Sequence, residues 1–165
     1  MRRFGVLIAS VALVGAGGCM YSFAGGGLPP HIHTVAISTF DNQTASPDLP
    51  KELYDKMHDQ LERRLGVRDA PADRADAVIR GDIATYDADV PVGVSSVPQQ
   101  AVTARRRLQI TIDVEIVDQA NGHVLYSAKG LRQEADYNER GEPQARQDAI
   151  DKIIQSIIEG VQSNW

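Results

Sequence analysis

Residues 107–117 read RLQITIDVEIV, and their alternation decides the fold. Leu108, Ile110, Ile112, Val114 and Ile116 fall on one side of an extended chain, and Arg107, Gln109, Thr111, Asp113 and Glu115 on the other. Successive strand side chains point to opposite faces, so one face belongs to a core and the other to water. Such clean alternation marks an antiparallel sheet covered on one side only. Immediately downstream, residues 118–123 (DQANGH) carry Asn121-Gly122. That dipeptide supplies the positive φ of a tight hairpin, so residues 124–134 are expected to return alongside.

Working outward, residues 77–86 (AVIRGDIATY) read as the preceding strand, with Gly81 either weakening it or marking a close backbone approach. Residues 31–40 (HIHTVAISTF) supply another strand, and residues 41–47 (DNQTASP) are turn chemistry. Between these strands, Leu53, Met57, Leu61 and Leu65 recur four apart, with Tyr54 beside them. This is an amphipathic helix, capped by Ser46 or Asp48, tolerant of Pro47 or Pro50 in its first turn and stopped at Gly66. After Pro143, the spacing of Ala145, Ala149, Ile150, Ile153, Ile154, Ile157, Ile158 and Val161 defines a second helix. The order β-α-β-β-β-α predicts an α+β two-layer sandwich, with a mostly antiparallel four-stranded sheet and both helices on one face. Residues 87–104 are read as a long loop whose valines are candidates for contact, or as an outward continuation of both neighbouring strands.

The chain has 165 residues, 42% apolar and 5% aromatic, with 17 Lys+Arg against 22 Asp+Glu. One globular domain fits, and a multidomain enzyme, a disordered tail or a polytopic membrane protein does not. A formal charge of −5 disfavours nonspecific nucleic-acid binding. A single cysteine, Cys19, excludes an internal disulfide framework and multi-thiolate zinc sites.

That cysteine follows Arg2-Arg3, an apolar run from Phe4 to Val14 and the small residues Gly15 to Gly18. Basic, apolar, small is the order of a secretory signal, and the run is too short to span a bilayer. A cysteine at the end of it resembles a bacterial lipoprotein signal, which implies removal of residues 1–18 and lipidation of Cys19. Several acyl chains on that thiol would anchor the protein stably. Met20 stands where the sorting pattern of such lipoproteins places an inner-membrane Asp, which favours the outer membrane. Loss of Arg2 and Arg3 moves the formal charge from −5 to −7. The Gly- and Pro-rich residues 19–30 then form a lipidated tether, and 31–165 a single domain.

No nucleophile elbow, phosphate loop or zinc-protease helix is present in the sequence. His31 and His33 are two apart and compatible with a weak metal site or with two solvated imidazoles, and without an adjoining Cys or acid cluster no metal or cofactor is expected. His58 sits on a polar helix face and His123 follows the hairpin glycine. The acid pairs Asp87/Asp89 and Asp136/Glu139 lack the aromatic cluster of a sugar site and read as solvated. Arg105-Arg106-Arg107 is the densest positive charge, extended by Lys129 and Arg132 on the following strand. The trio suits phosphate or carboxylate binding, and equally an edge strand protected by charge.

Residues 19–23 (CMYSF), 28–32 (LPPHI), 34–37 (TVAI), 39–44 (TFDNQT) and 75–81 (ADAVIRG), with the final helix ending at Trp165, resemble the LptE family of lipopolysaccharide-assembly lipoproteins. The resemblance implies a non-enzymatic α+β lipoprotein of the outer membrane, lodged inside the LptD β-barrel. There it would support barrel assembly and help insert lipopolysaccharide into the outer leaflet. It also implies lipopolysaccharide as a direct ligand. Charge and position nominate Arg105, Arg106, Arg107, Lys129 and Arg132 as its contacts, outside any family motif. A strand ending in Phe-Asp-Asn-x-Thr occurs in other periplasmic lipoproteins too, so a lipoprotein that activates a cell-wall synthase or a secretion complex is the alternative.

Overall fold

A computed structural model describes residues 28–91, 106–138 and 140–163. Eight elements follow in chain order: β1 (Thr34–Ile37), β2 (Asp41–Asn42), α1 (Leu49–Leu65), β3 (Arg68–Asp69), β4 (Ala77–Pro91), β5 (Arg106–Asp118), β6 (Val124–Tyr137) and α2 (Glu142–Ser163). The α+β sandwich class holds, while the sheet itself has six strands and is mixed. Its order is β3-β1-β4-β5-β6, with β2 also paired to β4. β4, β5 and β6 form the antiparallel part, and β1, β2 and β3 add to it in parallel. The crossover through α1 is what makes β1 and β4 parallel, since a helix between strands returns the chain to the same end of a sheet. β2 and β3 are two residues long and carry exposed polar side chains, too short for any hydrophobic period to reveal.

The alternation in β5 is realised as read. Leu108, Ile110, Ile112, Val114 and Ile116 are buried, and the odd-numbered residues from 107 to 117 are only half-covered. α1 buries Leu49, Leu53, Met57, Leu61 and Leu65, and α2 buries the eight residues that its spacing singled out. Both stripes join the even-numbered β5 residues in one core, so the two helices share a face of the sheet. Pro50 lies in the first turn of α1, and Asp48 is the N-cap residue without a side-chain cap bond. Gly66 ends the helix at φ 67°, donating its N–H to the Glu62 carbonyl, the left-handed stop that glycine adopts without strain.

Two glycines mark close packing. A Cβ on Gly81 would lie 2.1 Å from the Asp113 carbonyl oxygen and 2.7 Å from the Phe40 ring, so β4 needs glycine to meet β5 beneath that aromatic. On α2, a Cβ at Gly160 would lie 2.3 Å from the Tyr126 ring. Residues 87–91 of the expected loop are strand, paired out to Pro91 opposite Arg106, and residues 92–104 lie outside the described residues. Cys19, the signal segment and most of the tether lie outside them as well.

Candidate functional site

The uncovered sheet face is where this fold presents its chemistry. Arg80 on β4 donates through Nε and Nη2 to Glu115 on β5, at 3.0 and 2.8 Å. Two residue pairs further on, and so on the same face, Asp82 stands opposite Asp113, and Asp41 on β2 stands opposite Asp82. Three carboxylates therefore lie abreast on neighbouring strands, spaced at the roughly 4.8 Å of adjacent strands. Asp113 accepts from the Gly130 backbone N–H at 2.6 Å, where a bulge with φ 63° breaks the β5–β6 register. Beside these residues lies a cleft of about 610 Å³, reached also by Ser38, Thr39, Ser127 and Lys129.

The arginine cluster takes a different form from a compact cationic patch. β5 lies inside the sheet, with β6 at one edge and β3 at the other, so edge protection does not explain the charge. Arg107 donates to Asp136 at 2.6 Å and faces Glu134 at 3.1 Å, both on β6, while Arg106 lies 3.7 Å from Asp89 on β4. Hydrogen bonding to Asp136 raises the Arg107 pKa. Arg105 lies outside the described residues. Arg132 pairs in register with Thr111, four residues along β5 from Arg107, or about 13 Å at roughly 3.3 Å per residue. Lys129 lies beyond the bulge, opposite the Asp113 region. Arg107, Arg132 and Lys129 are thus spread along the open face, Arg106 falls in the even-numbered register of the opposite face, and neither Lys129 nor Arg132 adjoins Arg107.

Asp87 and Asp89 are exposed, with Asp87 accepting the Asp89 backbone N–H at 3.1 Å. Glu139 lies outside the described residues. No group of three metal-ligating side chains converges among the described residues.

Sequence reasoning missed the role of the histidine segment. His31 Nε2 lies 2.8 Å from Asp118 Oδ2, and Asp118 also accepts from the Ala120 N–H and the Asn121 amide. Asp118 is 1% exposed, the one buried charged residue among the described residues. The His31 bond, aided by those donors and opposed by burial, holds its carboxyl below the ordinary carboxylate range. Asp76 receives the His33 N–H, the Thr34 N–H and the Thr34 hydroxyl, and these bonds lower its pKa as well. Two carboxylates thereby clasp residues 31–34 at the start of β1. One signal was available: Asp118 continues the even-numbered, core-facing register of β5 as a carboxylate. At the other end of the sheet, Arg146 of α2 meets Glu52 of α1 at 2.9 Å and Glu142 at 3.6 Å, and Glu142 accepts the Tyr86 hydroxyl. Burial, then Glu142, raises the Tyr86 pKa.

With this geometry in view, residues 32–162 match the model of a family described as LptE, lipopolysaccharide-assembly. No curated protein matches. Among solved structures, PelC from Paraburkholderia phytofirmans, a dodecamer, is 19% identical with TM-score 0.52, covering 77% of this chain and 89% of its own. A minor lipoprotein from Acinetobacter baumannii is 14% identical with TM-score 0.53, covering 81% and 94%. Uncharacterized lipoprotein B from Nitrosomonas europaea is 14% identical with TM-score 0.54, covering 85% and 88%. At these identities the likeness is one of fold.

Proposed function

We propose, from the premise that the chain belongs to the LptE family of lipopolysaccharide assembly, that it is an outer-membrane lipoprotein that plugs and helps assemble an LptD-type β-barrel. Lipid on Cys19 anchors it, and its role is to assist lipopolysaccharide insertion into the outer leaflet without catalysing a reaction. The observation that carries this reading is the family match, which extends from residue 32 to residue 162. The fold supports it: one sheet face is sealed by two helices, and the other presents polar groups suited to the polar interior of a barrel.

We assign lipopolysaccharide phosphates to Arg105 and to Arg106 and Arg107 at the start of β5, since an arginine fork matches phosphate oxygens. Arg106 and Arg107 would exchange their present carboxylate partners for phosphate. Replacing Arg105, Arg106 and Arg107 together with Ser is expected to abolish lipopolysaccharide displacement while leaving the circular-dichroism spectrum intact. Unchanged displacement would remove the assignment.

Gentle detergent extraction of the tagged chain from its own envelope tests the main reading. A large β-barrel protein should co-purify in stoichiometric amount. A cell-wall synthase or a secretion-complex subunit in its place would move the protein to the activator class. A homo-oligomer free of any barrel would point to self-assembly instead.

A further inference from the structure

The exposed side of α2 and the uncovered sheet face differ in how far their charges are already matched. Every charged side chain of α2 has a partner: Glu142 and Arg146 pair with each other, Asp148 accepts from Gln144, and Asp151 pairs with Lys56. Lys152 donates to the Glu134 carbonyl, and Glu159 accepts from Gln155. On the uncovered sheet face, by contrast, Asp41, Asp82, Lys129 and Arg132 form no side-chain hydrogen bond or ion pair with any described residue. Gln109 and Thr111 between them are likewise unused.

These unspent groups are ordered across the sheet. The acids are on β2 and β4, the cations are on β6, and β5 separates them with uncharged Gln109 and Thr111 and with Glu115 and Asp113 already engaged. Like charges on directly opposed strand positions, as at Asp82 and Asp113, are destabilising, so this order is not one that the isolated domain gains from. Asp41, Asp82 and Lys129 also border the 610 Å³ cleft, which gives a partner side chain room to enter.

We infer that the face formed by β2, β4, β5 and β6 is a docking surface for a protein wall of the reverse charge order, with cations against Asp41 and Asp82 and acids against Lys129 and Arg132. The inference rests on the barrel reading above and names the face that meets that partner. Electrostatic complementarity of this kind fixes the register and orientation of docking more than its raw strength. The matched α2 surface then faces away from the contact.

Charge reversal tests it in the full-length lipidated chain. Asp82→Lys and the double variant Lys129→Glu/Arg132→Glu should each lower the barrel recovered per tagged chain at least tenfold, with melting temperatures held near the parent value. Asp148→Lys and Glu159→Lys on α2 should leave recovery within twofold. Loss from the α2 variants with full recovery from the sheet variants would overturn the docking face while leaving the barrel reading intact. Failure of the parent chain to recover a barrel would overturn both. A face-to-face pair of this chain, seen as a dimeric mass that the same sheet variants dissociate, would also overturn it by showing a second copy as the occupant.

Discussion

One strand carries two faces that ask different things of their residues. On the helix side of β5, Leu108, Ile110, Ile112, Val114 and Ile116 are each 2% exposed or less, within the one hydrophobic core. On the other side, Arg107, Gln109, Thr111, Asp113 and Glu115 are half-covered and lie outside the core that the two helices share with the even-numbered residues. The first face is dictated by burial, which is indifferent to partner and strict about volume. The second is loose in volume and specific in charge, the pattern of a surface whose requirements come from outside the domain.

The largest expected effect separates the two faces directly. Ile112→Ala should lower unfolding stability by about 3 kcal/mol through lost transfer energy and a residual cavity. Its neighbour Thr111→Ala should change stability by less than about 0.5 kcal/mol. Urea midpoints measure both, and an equal cost at the two positions would break the comparison.

A second contrast sets the polar groups at the edge of the core against those on the open face. Arg146→Met should cost about 2 kcal/mol, because it strands Glu52, whose Oε2 is already buried without a partner. Removing both charges in Glu52→Leu/Arg146→Met should recover part of that loss, whereas Lys129→Met on the open face should move the melting temperature little. An additive double variant would show that the pair is not coupled.

A smaller effect tests how tightly the sealed side packs. Gly160→Ala should cost about 1 kcal/mol, since the clash with Tyr126 outweighs the roughly 1 kcal/mol helix gain of alanine over glycine. In a Tyr126→Ser background the same change should become stabilising. A destabilisation that persists without the ring would locate the strain elsewhere.

The smallest effect is a slope. Asp118 and Asp76 are held below their ordinary value of 3.8, so each binds fewer protons folded than unfolded in acid. Their contribution is complete above that value and drains as pH falls through 3.8 toward the lower folded values. Stability measured from pH 6 to pH 2 should therefore fall, and Asp118→Asn should flatten the descent. An unchanged slope would mean that the clasp on residues 31–34 has no energetic weight.

Both helices and the β4–β6 hairpins were legible because their signals are local. A period of two in β5 and of about 3.6 in α2 survives in any fold that buries one face, and Asn121-Gly122 needs only its own backbone to turn. The candidate site was legible only in part. Arg106 and Arg107 were visible as charge, but their partners Asp89, Glu134 and Asp136 sit on two other strands, and adjacency in sequence implied a patch that pairing dissolves.

By itself the sequence determined which faces are apolar, where helices start and stop, and the α+β class, because each follows from short-range periodicity and backbone preference. Only the tertiary structure decided the parallel docking of β1, β2 and β3, the His31–Asp118 bond across 87 residues, and the row of Asp41, Asp82 and Asp113. Those depend on which strands become neighbours and in what register. Chain crossover and loop closure settle that choice, and a linear pattern of side chains does not encode it.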